Sequence, residues 1–419
     1  VIHGVRHAAR GAGGGARALG TVGAVLGGAA AVGAVASLGA AVFAARRVIT
    51  PPKRRVNDTA ILDVDLAGGL VTLSAGEAAS IDGRYGLWFS RDTGHAKIGA
   101  IVGRDAGGRG RPASVTRELI AVDHGDLLGA KRGRIGAWFH LHPAELGLPF
   151  EEVEVPTTLG AAPAWFVPAV HPDGRWVVVV HGWGVQRAEG LRAVPVFHRA
   201  GYSALLISYR NDGLAPATAD GRYGLGDTEW LDVEAAIRYA LDHGAAEIVL
   251  MGWSMGGATV LQAVTRSRLV HAVRGVVLES PVVDWVTALH FQGSAMHLPR
   301  TVRHLVFGLL GSRWGRLATG LAAPVDLARL NFMHRAHELS LPTLVLHSDG
   351  DAFVPSLASA ALATARPDIV ERPGWDDAGH TRLWNLDPGR WEAQISDWLG
   401  RLPSASARTS HPPRRAAAG

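Results

Sequence analysis

The chain has 419 residues, a formal net charge of +5 and an apolar content of 47%. That is enough for a full core and more than one domain, and too apolar for a mostly disordered chain. It contains no cysteine, which excludes disulfides, thiolate metal sites and a cysteine nucleophile. The positive charge lies at the ends: residues 1–55 hold eight Arg/Lys and residues 401–419 four Arg, with no acid in either, leaving 30 basic and 37 acidic residues between them. A nucleic-acid reader needs basic residues gathered on a folded face, so no nucleic-acid partner is expected.

Arg17 and Arg46 bracket 28 residues without a charge. A bilayer needs about 20, so residues 1–55 predict a basic leader and a transmembrane helix over about 18–45, a single-pass membrane anchor. A cleaved signal peptide and a flexible Gly/Ala leader are the blander readings. Three Arg before the span and five Arg/Lys after it lean towards a cytoplasmic body. The stretch "TPPKRR" is expected to end the helix and open a linker.

Residues 56–152 carry short apolar runs broken by Gly, Asp and Pro. "AILDVDL", "GLVTLS", "KIGAIVG" and "RELIAVD" predict strands in hairpins, a small β-rich domain. His140-Leu141-His142 would put two histidines on one face of a strand near Glu145. With no third clear ligand, they read as a structural pair and no metal is expected.

From 153 to 402 strands alternate with helices, the pattern of an α/β fold with a mainly parallel sheet. "RWVVVVHG", "SALLISY", "EIVLMGW", "RGVVLESP", "PTLVLHSD" and "DIVERPG" predict strands. "AVPVFHRAG", "DTEWLDVEAAIRYALDHG", "MGGATVLQAVTRS" and "PGRWEAQISDWLGRL" predict helices. Amphipathic helical material over about 285–340 interrupts the alternation, and 403–419 predicts a disordered tail.

Gly252-Trp253-Ser254-Met255-Gly256 sits between an apolar strand and a helix. A serine there occupies a tight turn that lifts Oγ above the sheet, and the helix N-terminus behind it favours a developing oxyanion. A serine needs a base, and the base an orienting acid. Further along, "LVLHSDGDAFVP" offers Asp349 and Asp351, and "DDAGH" puts His380 in a loop before the last helix. His181-Gly182-Trp183-Gly184 follows an earlier core strand, where glycines let backbone N–H groups turn towards Ser254. The expected oxyanion donors are the N–H groups of Trp183 and Met255. Trp183, Trp253 and Trp285 could line an acyl pocket or serve the core.

With "HGWG", "GWSMGG", "DxxVP" and "AGH" in this order, residues from about 155 to 400 resemble the α/β-hydrolase superfamily. "ISYRNDG" and "YGLGDTEWLDVEAAIRYA" resemble its esterase and serine-aminopeptidase-like branch. The whole chain resembles membrane-associated hydrolases of unassigned substrate from high-GC bacteria. The resemblance implies Asp351 as the acid, with Asp349 as fallback and Asp284 as a third option, and residues 285–340 as a cap over the pocket. The expected function is hydrolysis of a small-molecule carboxylic ester, or second an amide or peptide bond, through an acyl-enzyme on Ser254, His380 and Asp351, with no cofactor. The competing expectations are a catalytically silent binding protein on the same fold and an interaction protein that works through its β-rich domain.

Overall fold

The computed structural model describes residues 33–403. A helix, α1, covers residues 33–49. Six antiparallel strands follow: β1 (Thr59–Asp65), β2 (Leu70–Ser74), β3 (Tyr85–Phe89), β4 (Gly94–Asp105), β5 (Ser114–His124) and β6 (Arg132–Gly136), with the short helix α2 (Glu77–Ser80) between β2 and β3. They close into a barrel of order β1-β2-β5-β4-β3-β6. Closure removes the unpaired edges that an open sheet of this size would expose. The four hairpin strands expected from sequence correspond to β1, β2, β4 and β5. Strands β3 and β6 were not anticipated. All five residues of "YGLWF" are buried, so it lacks the alternation of a half-exposed strand, and "RGRIG" is short and rich in Arg and Gly.

Arg117, on β5, is wholly buried in the barrel. Its guanidinium donates to the carbonyls of Ala79, Ile81, Gly83 and Gly99 at 2.7–3.0 Å. It also lies 5.3 Å from the Tyr85 ring centroid. One cation thereby ties the segment around α2 to the barrel wall.

The second body is an eight-stranded sheet. It contains β7 (Glu151–Thr157), β8 (Gly160–Val167), β9 (Arg175–Val180), β10 (Ser203–Ile207), β11 (Glu247–Trp253), β12 (Val273–Glu279), β13 (Thr343–Leu346) and β14 (Val370–Glu371), in the order β14-β13-β12-β11-β9-β10-β8-β7. From β10 to β14 all neighbours are parallel, and the β7–β8 hairpin adds an antiparallel edge. Helices α3 (Val194–Arg199), α4 (Trp230–Asp242), α5 (Met255–Arg266), α6 (Trp285–Ala295), α7 (Arg300–Gly311), α8 (Gly315–Thr319), α9 (Leu357–Ala365), α10 (Leu383–Leu386) and α11 (Pro388–Arg401) complete it. The valines of β9 are buried on both faces, as a central parallel strand demands. Each contributes roughly 1.5–3 kcal/mol relative to exposure.

The N-terminal helix is part of this body. Ala41, Ala45 and Ile49 are fully buried in the larger of the two cores flanking the sheet, the small side chains permitting close approach. Tyr223 N donates to Ile49 O (2.8 Å), and the Trp183 indole donates to Val48 O (2.8 Å). Residues 50–55 are not the free linker expected from "TPPKRR": Arg55 donates to Gly184 O, and a Cβ on Gly184 would meet Pro52 at 2.6 Å. The transmembrane span expected over 18–45 falls only partly within the described residues. Residues 18–32 lie outside the described residues, the stretch around 41–45 packs on protein, and among the described residues no helix is long and apolar enough to cross a membrane. Of the tail expected over 403–419, residues 404–419 lie outside the described residues.

Replacing Arg117 by Met is expected to leave four carbonyl groups without this donor and to cost about 1–3 kcal/mol, the usual penalty for a buried acceptor left unsatisfied. Urea denaturation checks this; an unchanged transition would show that the cation is not what secures the barrel.

Candidate active site

Ser254 follows β11 directly and precedes α5. Its backbone is at φ 51°, ψ −116°, a region that costs a non-glycine residue about 1–3 kcal/mol and persists only where the surroundings enforce it. They do so here: Ser254 N donates to Glu279 O (3.0 Å), and Ser254 O accepts from Gly257, Ala258 and Val282 N. The flanking glycines are required by close approach. A Cβ at Gly256 would lie 2.4 Å from the carbonyl oxygens of Val180 and His181, and one at Gly252 would lie 2.6 Å from Gly256 O.

His380 Nε2 is 2.9 Å from Ser254 Oγ, and its Nδ1 is 2.7 Å from Asp351 Oδ2. Asp351 Oδ1 accepts from the backbone N–H of Phe353 and Val354, both at 2.9 Å. Burial alone would raise the Asp351 pKa, but the facing His380 and a second histidine, His347, hold it well below the usual carboxylate range. His347 Nε2 lies 3.3 Å from Asp351 Oδ2 and 3.0 Å from Val354 O, and its Nδ1 is 2.8 Å from Ser359 Oγ. His380 therefore faces a carboxylate through Nδ1 and a hydroxyl through Nε2, an arrangement in which Nε2 can take the hydroxyl proton. The Phe353 ring lies 5.0 Å from the His380 ring.

Two alternative acids are placed elsewhere. Asp349 accepts from Ser356 Oγ (2.6 Å) and pairs with Arg372. Asp284 caps α6, accepting from Val286 N and Thr287 N. Trp183 lies in the loop after β9, next to Gly182, whose N–H donates to Glu189 Oε2 (2.9 Å). Met255 is the first residue of α5, where a backbone N–H has no acceptor within the helix. Of the three tryptophans only Trp183 reaches the cavity at Ser254. Trp253 is buried with its indole on Glu279 (2.7 Å), and the Trp285 indole donates to Leu225 O (2.8 Å).

His140 and His142 are not on a strand. His142 opens a short helical turn, accepting from Ala144 N (3.3 Å) while Glu145 accepts from the N–H of Leu141 and His142. Among the described residues no group of three or more His, Asp or Glu could hold a metal.

The cavity shared by Ser254 and His380 measures about 730 Å³. Its walls differ from expectation, because none of its lining residues comes from 285–340. The inserted helices α6–α8 act on it at one remove, through Gln292 Nε2 donating to Phe353 O (3.2 Å). About half of the lining is instead Arg55 and barrel residues between Asp58 and Ile81. Sequence reasoning missed these residues, and also Glu189 and His347. Only the run of two acids and a histidine in "HSDGD" hinted at the last.

A parallel sheet wrapped by helices, with a serine on a strained strand–helix turn facing a histidine and an acid, defines a class of protein. The profile of the alpha/beta hydrolase family matches residues 177–394, and the chain belongs to that family. A second profile, a domain of unknown function, matches residues 60–136, which is the barrel. No curated protein matches the chain. Among solved structures it is similar to an esterase from Pyrococcus furiosus, at 17% identity and TM-score 0.50, covering 63% of this chain and 95% of that one. It is also similar to an esterase from a Rhodococcus species (20% identity, 60% of this chain and 99% of that one, TM-score 0.42). A third is a puromycin-hydrolyzing peptidase from Mycobacterium tuberculosis (18% identity, 84% and 55%, TM-score 0.49). At 17% identity, the likeness to the Pyrococcus furiosus esterase bears on the fold alone.

Gly256→Ala is expected to push the turn away from the end of β9, since both close neighbours are backbone oxygens that cannot swing aside. Loss of reactivity at Ser254 should accompany a destabilisation of about 1–3 kcal/mol, the usual range for overpacking. Labelling by a fluorophosphonate and thermal unfolding together read both, and a variant with wild-type values in each would show that the turn tolerates the methyl group.

Proposed function

We propose that this chain is a serine hydrolase that cleaves carboxylic esters through an acyl-enzyme. The observation that carries the reading is the hydrogen-bonded series Ser254–His380–Asp351, with Ser254 Oγ at the floor of a cavity large enough for a small molecule. In this mechanism Ser254 Oγ attacks the substrate carbonyl as His380 Nε2 takes its proton. Asp351 accepts from Nδ1–H, fixing the tautomer and stabilising the imidazolium. The N–H groups of Met255 and Trp183 receive the oxyanion, helped by the positive end of α5. His380 then protonates the leaving alcohol, and a water activated by the same nitrogen releases the acid. Esters come before amides because an alcohol leaves more readily than an amine, and this series of groups offers nothing further to assist an amine. Peptide or amide cleavage is the alternative that the same site permits.

Attachment to a membrane through the N-terminal segment belongs to the proposal. It rests on the 28-residue charge-free run and on the exposure of Val35 (73%) and Leu38 (49%) on α1, ahead of its protein-packed end.

A fluorophosphonate is expected to label the protein at Ser254, with labelling abolished in Ser254→Ala. Asp351→Asn should lower kcat/KM by a factor on the order of 10⁴ by reversing the tautomer preference of His380. A panel of ester chain lengths and aminoacyl amides, with Ser254→Ala as control, separates esterase from amidase; labelling that survives the alanine change sinks the assignment. Removing residues 1–32 should move the protein from the membrane pellet to the supernatant, and an unchanged distribution would refute the anchor.

A further inference from the structure

The barrel and the α/β sheet meet at the turn that follows His380. Arg84 N donates to Asn385 O (2.9 Å), and the Asn385 amide donates to Arg84 O (2.7 Å) and Ala137 O (3.0 Å). Between His380 and Asn385 lies Arg382, which lines the same cavity as Ser254 and His380. Its hydrogen bond is to the barrel carbonyl Ile135 O, from Nη2 at 3.2 Å. Its guanidinium lies 5.5 Å from the centroid of the buried Tyr85 ring, which Arg117 also approaches. Among the described residues no carboxylate comes within ion-pair distance of it. A guanidinium has five N–H donors, so most of this one's capacity is free. Burial lowers its pKa, and Tyr85, then Glu77 and Asp58, partly offset the effect.

A partly desolvated cation with unused donors in a cavity wall is electrostatically costly until an anion meets it. The other charges on the wall compete poorly. Glu77 and Asp58 are exposed, where solvent and salt screen them, and Asp58 already accepts from Thr59 Oγ1. Arg55, also on the wall, donates to Gly184 O and adds a second cation to it.

We propose that the barrel, rather than the inserted helices, reads the substrate, and that Arg382 at its seam binds a carboxylate or phosphate carried by the ester that Ser254 cleaves. This rests on the serine-hydrolase reading above. Arg382 would be a specificity-determining residue: it neither donates nor accepts the transferred proton, but sets which ester sits productively at Ser254.

The test compares matched 4-nitrophenyl esters, one neutral (butyrate) and one anionic (hemiglutarate), on the full-length chain. The wild type should prefer the anionic ester. Arg382→Gln should lower kcat/KM for it by about 10- to 100-fold, chiefly through KM, and change the neutral ester by less than about threefold. Arg382→Lys should recover part of the loss, since a point charge keeps the attraction but not the fork geometry. Glu77→Gln should change the anionic preference by less than about threefold, because that carboxylate is exposed and screened, and a larger gain would show that Glu77 rather than substrate meets Arg382. Equal losses on both esters would reduce Arg382 to a structural tie between barrel and turn and overturn the proposal. Should Arg382→Gln not fold, glutarate should still protect wild-type Ser254 from fluorophosphonate labelling far better than a neutral diamide of the same length, and equal protection overturns it too. Absence of labelling in any condition points instead to failure of the serine-hydrolase reading.

Discussion

The site depends on one constraint, the level registration of four parallel strands. Val180 of β9 lies beside Gly252 of β11, Trp253 beside Glu279 of β12, and Glu279 beside Leu346 of β13. The strands therefore stop on a common rim, and whatever follows each of them is delivered to the same place. After β9 comes the His181–Gly184 loop, after β11 Ser254, and after β13 the segment with His347 and Asp351. This is the general reason that open α/β sheets carry their sites at the carboxyl ends of their strands. Here the tolerance is small: the Ser254 turn nests against the end of β9 with no room for a methyl group at Gly256. A one-residue slip between β9 and β11 would invert every side chain relative to the two cores and separate Ser254 from its neighbours together.

Beneath that rim run two buried polar clusters that fix the loops. Glu279 accepts from the indoles of Trp253 (2.7 Å) and Trp391 (2.9 Å) and from Leu383 N (3.2 Å), joining the serine strand to the turn after His380. Arg192 donates to Thr381 O (2.8 Å) and Asn385 Oδ1 (2.7 Å), and sits beside Glu189, which holds Gly182 N. The loop after β9 and the turn that bears His380 are thus tied to one another before any substrate arrives. Preorganisation of this kind is what makes hydrogen-bond donors effective at a developing charge. Burial pushes the pKa of Glu279 up while Asp351 is held low by its histidines. Two buried carboxylates near one site are thereby differentiated: burial prevails at Glu279 although Arg192 opposes it, whereas at Asp351 the two histidines prevail over burial.

Much of this was legible in the sequence because it is local. The alternation of apolar runs with helical periods marked β9 to β14, and Ser254, Asp351 and His380 each stand in a segment that follows a strand. The turn residues around Ser254 could be reasoned from sterics alone. What could not be read was non-local. Strand β3 hides because it is buried along its whole length, and barrel closure is a pairing between β1 and β6 some 70 residues apart, with no local signature. The inserted helices looked like a cap because amphipathic helices after β12 fit one. Whether they or the barrel cover Ser254 depends on how the bodies dock, through atoms such as Asn385 Nδ2 that carry no pattern. Asp349 and Asp351 could not be ranked by residue type either. The difference is the backbone turn at Phe353 and Val354, which aims Asp351 inwards and leaves Asp349 at the surface with Arg372.

The two segments outside the sheet hold different loops of the site. The end of α1 and residues 50–55 lie along the His181–Gly184 loop, through the Trp183 indole on Val48 and through Arg55 on Gly184. The barrel holds the turn after His380 through Arg84, Ala137 and Ile135. Strand registration and the buried Glu279 cluster belong to the sheet and its helices, so the Ser254 turn itself does not depend on either segment. The cavity does, because about half of its wall is theirs. On the proposed reading, reactivity of the serine would belong to the sheet of common architecture, and selection of what reaches it to the barrel with the N-terminal strap, because only the cavity wall is built from these segments.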